Sequence, residues 1–302
     1  MKKPVIISVI GPTSSGKSEL AVSLAKKFNG EIISADSRQI YRGFNLSSGK
    51  VEGKWQNNIF IYKNIPHYLI DEANPKTQHS VAKFQSKAKK IIKDILKRGK
   101  LPIICGGTMH WVDSAVYEQS LPEVKPNLKL RKELEKLSTE NLFKRLQKLD
   151  PIRAENIDPK NPRRLIRALE IIAATGKAVP QQKLESPYKI IWIGINPGKE
   201  ILEQNIYKRI LQRIKQGMIS EIEQLHEQGL SWKKLEGYGL EFKFISQLLQ
   251  NKISKAEMID QLFTSHKQYV KRQLTWWKRN TKIHWIETKK DQHLIKFIQE
   301  LL

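Results

Sequence analysis

The segment VIISVIGPTSSGKS, Val5 to Ser18, decides the fold of this chain. Its apolar first part, Val5 to Ile10, is typical of a buried strand in a parallel sheet. Its second part, Gly11 to Ser18, matches the phosphate-binding pattern G-x-x-x-x-G-K-[ST]. Backbone N–H groups of such a loop converge on an anion, and the following helix adds the positive end of its dipole. The segment therefore predicts a strand, a phosphate-binding loop and a helix.

Strand-like and helix-like segments continue to alternate through the first third of the chain. EIISADS (Glu31–Ser37) indicates a strand followed by a loop, and LPIICGG (Leu101–Gly107) indicates another buried strand. Between them, Val81–Gly99 has apolar residues at helical spacing and a glycine at its end. This β-α-β alternation predicts an α/β fold, a P-loop NTPase-like core with a doubly wound parallel sheet.

A mostly α-helical and highly charged segment interrupts this alternation. In NPRRLIRALEIIAATGK, Asn161 is a predicted helix cap, Pro162 lies in the first turn and Gly176 ends the helix. Strand character returns at YKIIWIGINP (Tyr188–Pro197) and again, after a long helical stretch, at KIHWIE. We therefore expect a core domain formed by residues 1–116 and 187–302 and a helical insertion domain at 117–186.

The composition limits the class of partner. The 302 residues include 54 Lys and Arg against 30 Asp and Glu, a formal net charge of +24 that favours a polyanion such as nucleic acid. No apolar stretch is long enough for a membrane span, and the N-terminal apolar run leads into the phosphate loop as a strand rather than a signal peptide. The single cysteine, Cys105, excludes an intramolecular disulfide and fits a reducing cytoplasm.

Two further segments follow predicted strands and should lie at the same sheet edge as the phosphate loop. Asp36, in SADSRQIY, can ligate a metal, bind a substrate hydroxyl or act as a general base, or it can simply cap a loop. The glycines of GGT (Gly106, Gly107 and Thr108) allow close approach of a substrate to the backbone. The best later strand, LPIICGGT, ends in glycines rather than in the acidic residue that holds magnesium in nucleotide hydrolases, which disfavours a conventional ATPase or GTPase.

Together these motifs closely resemble the tRNA dimethylallyltransferases, the IPP transferase family, over nearly the whole chain. The segments that carry the resemblance, in order, are GPTSSGKS, GEIISADSRQIYRGFN, HYLIDEANPKTQHSVAKFQ, PIICGGT, NPRRLIRALEI and QYVKRQLTWWKRN. The resemblance implies transfer of a dimethylallyl group from dimethylallyl diphosphate to the exocyclic amine of adenosine 37, beside the tRNA anticodon. The products are i6A and diphosphate.

The resemblance also implies roles for individual residues. Asp36 is the general base, Thr13 lies near the bridging oxygen, and Arg213 stabilises the diphosphate, with Arg209 as a nearby competitor. Mg²⁺ is the expected cofactor, with Ser18 as its ligand. The diphosphate would contact the whole loop: Gly11, Pro12, Thr13, Ser14, Ser15, Gly16, Lys17 and Ser18.

The expected RNA partner is an A-rich anticodon stem-loop, whose target base must leave its stack to reach a pocket. Basic and aromatic side chains would hold phosphates and stack on bases. The predicted RNA contacts are Ser37, Gln39, Arg163, Arg164, Arg167, Lys271, Arg272, Gln273 and Trp276. Of the paired rings Trp276 and Trp277, we expect one to be buried and the other to lie near the site. We expect the protein to be a cytoplasmic monomer that does not bind a membrane.

Alternative functions share the loop and Asp36. A phosphate-loop kinase would use ATP on a small substrate, and an adenylate isopentenyltransferase would act on a free nucleotide without needing a strongly basic surface. A non-catalytic RNA-binding module would keep the loop only as an anion anchor. Family motifs also change in this chain at GGTMHW, at SSGK (Ser47–Lys50) and at GYGLEFK (Gly237–Lys243).

Overall fold

The computed structural model describes residues 3–122, 124–180, 185–288 and 292–302. The chain forms two compact units. The first, called the core unit here, comprises Met1–Val116 and Ser186–Leu302, and the second, the inserted unit, comprises Tyr117–Glu185. The described ranges leave out part of each predicted domain: residues 123 and 181–184 of the insertion, and residues 1–2 and 289–291 of the core.

The elements follow one another in an order that repeats strand and helix before and after the inserted unit. In chain order they are β1 (Val5–Ile10), α1 (Lys17–Lys27), β2 (Gly30–Ser34), β3 (Lys54–Gln56), β4 (Ile59–Tyr62), β5 (Ile65–Tyr68), α2 (Val81–Lys97), β6 (Leu101–Gly106), α3 (Met109–Val116), α4 (Leu128–Leu134), α5 (Thr139–Leu149), α6 (Pro151–Glu155), α7 (Pro162–Thr175), β7 (Lys189–Ile195), α8 (Lys199–Lys215), α9 (Met218–Glu227), α10 (Trp232–Glu236), α11 (Leu240–Leu249), α12 (Lys255–Trp277), β8 (His284–Ile286) and α13 (Gln292–Leu301).

Within the described residues, eight strands form one sheet in the order β3-β4-β5-β2-β6-β1-β7-β8. All pairings from β5 through β8 are parallel, which confirms the predicted doubly wound sheet. The register sets Cys105 of β6 beside both Val9 of β1 and Ser34 of β2. The loops that follow these three strands therefore leave the sheet side by side.

An antiparallel extension, β3-β4-β5, was not expected from the sequence. Its two hairpin turns have positive φ at both central residues, Asn57–Asn58 and Lys63–Asn64. Two-residue turns of this kind match the twist of paired strands, and asparagine tolerates the left-handed conformation. The asparagines were therefore a usable signal, but the short strands carry no long apolar run.

The core unit is closed by apolar side chains on both faces of the sheet. Ile7 and Ile193 of the central strands are fully buried, and Leu20 and Leu24 of α1 pack in the same cluster. Helix α2 is amphipathic, as its apolar spacing predicted, and buries Phe84, Ala88, Ile92 and Ile95. No helix in the described ranges has the length and apolar character of a membrane span.

The inserted unit is helical, as predicted, and has its own apolar cluster. Its longest helix, α7, begins where Asn161 accepts a hydrogen bond from the Arg164 N–H at 3.2 Å and ends at Gly176, which has φ 65°. Glu170 on this helix is buried and accepts hydrogen bonds from Arg131 and Arg167. Burial opposes its ionisation, but these hydrogen bonds outweigh burial and lower the pKa of Glu170 to about 2.

Candidate active site

The phosphate loop turns sharply between β1 and α1. Ser14 and Gly16 have φ values of 63° and 91°, and Gly11 packs so closely on β7 that a Cβ would lie 2.5 Å from the Ile195 carbonyl oxygen. Only glycine fits that contact without a shift of the backbone. The loop is therefore anchored to the central strands, with α1 starting at Lys17 directly behind it.

The side chain of Lys17 is partly buried. Its Nζ donates a hydrogen bond to the Pro12 carbonyl at 3.2 Å, and burial lowers the pKa of its ammonium group. The positive charge of Arg209 lowers this pKa too, whereas Asp36 raises it. A partly buried cation held beside a second cation favours an anionic ligand between them.

Asp36 lies on the neighbouring loop, where β2 ends. Its Oδ1 accepts hydrogen bonds from the backbone N–H groups of Arg38 and Gln39 at 2.8 and 3.4 Å. The carboxylate therefore caps the loop, which was the structural alternative, and it also lines the same pocket as Thr13 and Lys17. The capping bonds fix its orientation at the pocket wall.

This pocket combines charged and apolar walls. Polar side chains that line it are Thr13, Lys17, Ser18, Ser34, Asp36, Gln39, Ser48 and Arg209. Apolar lining comes from Ala21, Ile32, Val51, Ile70 and Cys105, and His67, Gly49 and Gly106 complete the wall. Such a site suits an anionic head joined to a small apolar group.

Arg209 of α8, rather than the predicted Arg213, contacts the phosphate loop. Its Nη2 donates a hydrogen bond to the Thr13 hydroxyl. Burial, and after it the charge of Arg213, lowers the pKa of Arg209 to about 9. Earlier on the same helix, the Asn205 amide donates to the Ser14 carbonyl at 3.3 Å, so this part of α8 runs against the loop.

Arg213 lies one helical turn beyond that contact and has different neighbours. Its Nη1 is 3.7 Å from Glu241 Oε1, and a Cβ on Gly49 would lie 1.6 Å from its Nη2. Glu241 also lies 3.1 Å from His266 Nε2. Burial opposes ionisation of Glu241, but the charges of His266 and Arg213 hold its pKa at about 2. The contact with Thr13 favours Arg209, the alternative that the sequence left open, over Arg213 as the arginine beside the diphosphate.

Gln273 of α12, predicted as an RNA contact, is buried instead, with 1% of its surface exposed. Its Oε1 accepts a hydrogen bond from the Thr13 N–H at 3.0 Å, and its Nε2 donates to the Gly107 carbonyl at 2.8 Å. Both ends of the amide are used within the protein. We therefore withdraw the predicted RNA contact for this residue.

The glycine pair serves packing as well as the pocket. A Cβ on Gly106 would lie 2.2 Å from the Ala35 carbonyl oxygen, and one on Gly107 would lie 2.6 Å from Gln273 Nε2. The Thr108 hydroxyl accepts a hydrogen bond from the Ser37 N–H at 3.1 Å. Of the three predicted pocket residues, Gly106 lines the pocket, and the other two join the neighbouring loops to it.

The remaining predicted RNA contacts in the core unit fall into two groups. Ser37 and Gln39 lie in the loop that carries Asp36, and Gln39 Nε2 donates to the Gly49 carbonyl at 3.3 Å. On α12, Lys271 and Arg272 are exposed.

The tryptophan pair of α12 divides as expected. Trp277 is 1% exposed and belongs to the core. Trp276 is half-buried, donates its indole N–H to Asp113 at 3.0 Å, and has the Arg279 guanidinium 5.1 Å from its ring centre.

In the inserted unit, Arg163 and Arg164 are exposed on α7. Arg167 differs because it pairs with Glu170 and donates to the Val124 carbonyl at 3.0 Å. Part of its charge is therefore already neutralised within the unit.

The loop of residues 45–49 also lines the pocket, although no sequence motif assigns it there. Glu221 of α9 accepts hydrogen bonds from the backbone N–H groups of Asn45, Leu46 and Ser47 at 2.7–3.1 Å, and from the Ser47 hydroxyl at 2.5 Å. Ser48 and Gly49, which follow directly, line the pocket. No local pattern links Glu221 to this loop, because the contact joins segments far apart in the chain.

The donors at the pocket fit a magnesium ion bound mainly by its substrate. No cluster of three or more His, Cys, Asp or Glu side chains suited to a metal occurs in the described residues. Ser18 and Asp36 provide hard oxygen atoms at the pocket. Mg²⁺ commonly keeps several waters and binds through one or two protein oxygens together with substrate phosphates.

Comparisons with known proteins identify the family. The IPP transferase family model matches residues 39–280 of this chain. The chain belongs to this family. A model of the isopentenyl transferases also matches residues 4–63, which include the phosphate loop.

Individual relatives agree with this assignment across the chain. The tRNA dimethylallyltransferase of Anoxybacillus flavithermus is 36% identical and the match covers 98% of this chain and 94% of the relative. The tRNA dimethylallyltransferase 1 of Geotalea daltonii is 37% identical, over 93% of this chain and 90% of the relative.

Solved structures show the same fold. The tRNA isopentenylpyrophosphate transferase of Bacillus halodurans matches with a TM-score of 0.71 and 32% identity, covering 99% of this chain and 96% of its own. A eukaryotic dimethylallyltransferase acting on tRNA matches with a TM-score of 0.79 and 26% identity, covering 99% of this chain and 77% of its own. These neighbours confirm the resemblance and the P-loop NTPase-like fold, and they do not favour the kinase alternative.

Proposed function

We propose that this chain transfers a dimethylallyl group from dimethylallyl diphosphate to the exocyclic amine of adenosine 37 in tRNA. The products are i6A and diphosphate. The observation that carries the proposal is that Lys17, Arg209 and Thr13 line the same pocket as the carboxylate of Asp36. Family membership supports the class of reaction. The pocket supplies cations for the diphosphate that leaves and a carboxylate for the amine that is modified.

The cationic wall would bind the leaving group. As the allylic C–O bond breaks, negative charge develops on the departing diphosphate, and preorganised donors stabilise it most effectively where water is excluded. Lys17 and Arg209 are partly buried cations beside the loop, and Arg209 also holds the Thr13 hydroxyl. The apolar lining by Ile32, Val51 and Ile70 would take the dimethylallyl group.

Asp36 would accept the proton that the reaction releases. The exocyclic amine of adenine is a weak nucleophile because its lone pair is delocalised into the ring. As the new N–C bond forms, a carboxylate at the pocket wall can take one amine proton. The two backbone hydrogen bonds to Asp36 Oδ1 keep the carboxylate in one orientation for this step. Magnesium, bound through Ser18 and the substrate phosphates, would neutralise further charge on the leaving group.

The basic surface would hold the anticodon stem-loop. Extruding the target base requires contacts that fix the flanking phosphates and bases. Lys271 and Arg272 are exposed on α12, close in sequence to Trp276, and Arg163 and Arg164 are exposed on α7 of the inserted unit. We further propose that the chain acts as a monomer in a reducing cytoplasm, in keeping with its single, buried cysteine.

The experiment is transfer of labelled dimethylallyl from its diphosphate to an unmodified A-rich anticodon stem-loop with Mg²⁺. Wild type is compared with Asp36→Asn, which keeps an oxygen to cap the loop but cannot accept the proton. Asp260→Asn, on the exposed side of α12, is the matched control. We expect Asp36→Asn to lose about 10²- to 10⁴-fold in rate while still binding RNA. Unlabelled RNA with wild type, or full activity of Asp36→Asn, would contradict the proposal.

A further inference from the structure

Gln273 lies where three parts of the core unit meet. It belongs to α12, its Oε1 accepts from the phosphate loop at Thr13, and its Nε2 donates to the β6–α3 connection at Gly107. The side chain is 1% exposed. It is therefore placed behind the candidate active site rather than on a surface that RNA can reach.

Thr13 is held from two sides. Gln273 binds its backbone N–H, and Arg209 of α8 binds its hydroxyl. These two contacts fix the backbone and the side chain of Thr13, whose hydroxyl lies against Arg209. A change at either contact would alter where Thr13 presents its hydroxyl to a bound diphosphate.

Gly107 is held just as firmly. Its carbonyl accepts from Gln273 Nε2 at 2.8 Å and from the Tyr269 hydroxyl, one turn earlier on α12, at 3.3 Å. A Cβ at position 107 would collide with the Gln273 amide at 2.6 Å. The amide thus fills the space between the two loops and leaves no room for a side chain there.

An amide is the side chain that matches both neighbours. The Thr13 N–H requires an acceptor and the Gly107 carbonyl requires a donor, and glutamine offers both at the end of one side chain. Glutamate has the same shape but no donor for Gly107, and leucine has neither group. Loss of the amide would leave the Thr13 N–H without this acceptor and the Gly107 carbonyl with the longer hydrogen bond from Tyr269.

We propose that Gln273 is a positioning residue for the diphosphate donor, which it serves by fixing Thr13 and Gly107 against α12. The inference rests on the proposed function. It predicts that Gln273 acts on the donor and on the rate of transfer, and that it makes no contribution to RNA affinity.

The test uses the full chain with Gln273→Leu and Gln273→Glu, and with Gln268→Leu as the matched control on an exposed position of the same helix. Transfer rates are measured with each substrate varied in turn, and RNA affinity is measured directly by fluorescence anisotropy. Binding of inorganic diphosphate with Mg²⁺ is measured by calorimetry, so that the donor site is assayed even without transfer.

We expect Gln273→Leu to lower kcat and raise the KM for dimethylallyl diphosphate, with a combined loss of about 10- to 100-fold, because small misplacements of catalytic groups have effects of that size. Its affinity for inorganic diphosphate should fall, and its RNA affinity should stay within about twofold of wild type. Gln273→Glu, which keeps the acceptor for Thr13, should recover part of the loss.

Two results would overturn the inference. One is a fall in RNA affinity with kcat and the donor KM unchanged, which would return Gln273 to the RNA surface. The other is wild-type diphosphate affinity in both Gln273 variants. If Gln273→Leu fails to fold, the isosteric Gln273→Glu decides between these results. If the wild type binds diphosphate but transfers no dimethylallyl group, the proposed function is refuted while the role of Gln273 in diphosphate binding can still be tested.

Discussion

Replacing the partly buried Arg209 and the buried Arg213 of α8 should damage the protein in different ways. Arg209 donates to the Thr13 hydroxyl and lines the pocket, whereas Arg213 pairs with Glu241 at 3.7 Å. We expect Arg209→Met to lose catalysis and keep its stability. We expect Arg213→Met to lose stability and to keep most of its rate per folded molecule.

The magnitudes follow from these surroundings. Removing one donor from a developing anion typically lowers kcat by about 10²- to 10³-fold, or about 3–4 kcal/mol. Burial and the charge of Arg213 lower the pKa of Arg209 to about 9, which corresponds to a penalty on the order of 5 kcal/mol for keeping this cation in the folded protein. Arg209→Met relieves that penalty. Arg213→Met instead removes a charge that helps to lower the pKa of Glu241, and breaking a buried pair costs about 3–5 kcal/mol.

The assay combines thermal unfolding with single-turnover transfer, scaled to the folded fraction. Arg209→Met should unfold at or above the wild-type temperature and transfer at least about 100-fold more slowly. Arg213→Met should unfold several degrees lower and transfer within about tenfold of wild type. The opposite pattern, with Arg213→Met stable and inactive and Arg209→Met active, would refute the assignment of Arg209 to the diphosphate.

Three further changes have defined outcomes. Burial raises the pKa of Asp113 to about 6, from 3.8, against the lowering effects of Trp276 and Arg279. The folded state therefore binds this proton more tightly than the unfolded state, and its stability falls as pH rises from about 4 to 6. Over that window, denaturant unfolding should show the free energy of unfolding of Asp113→Asn rising relative to wild type by up to about 3 kcal/mol. Equal pH profiles for the two proteins would contradict this. Glu221→Gln loses acceptors for the 45–47 backbone, so its thermal midpoint should fall by a few degrees and its KM for the donor should rise; an unchanged KM would separate this loop from donor binding. Lys271→Ala should lower the dependence of log K on log salt for RNA binding by about one, measured by titration at several salt concentrations, and an unchanged slope would remove Lys271 from the RNA surface.

The features that the sequence predicts are those that depend on short, local residue patterns. The phosphate loop, its flanking strand and helix, and the loop with Asp36 each occupy one short segment with a distinct residue pattern. Periodicity likewise predicted α2 and the helical character of the inserted unit. The position of Asp36 beside Thr13 followed from sheet geometry alone, because carboxyl ends of parallel strands share an edge.

Features that depend on distant partners were not predicted. The distinction between Arg209 and Arg213 depends on how α8 packs against the phosphate loop, and both positions have the same residue type. Gln273 lies among exposed cations in the sequence, yet the packing of α12 directs it inward. Glu221 holds a loop from which about 175 residues of chain separate it. The Glu221 contact leaves no periodic or compositional trace, whereas Gln273 lies at helical spacing from the buried His266 and Trp277.

The most direct test of the central claim is to identify what leaves the phosphate loop. Enzyme in excess is mixed with dimethylallyl diphosphate, ATP, Mg²⁺ and the anticodon stem-loop, and released diphosphate and orthophosphate are counted against dimethylallyl groups gained by the RNA. We predict one diphosphate for each modified adenosine, with ATP left intact. Orthophosphate released from ATP, with the RNA unmodified, would contradict the account and assign the loop to a phosphoryl-transfer enzyme.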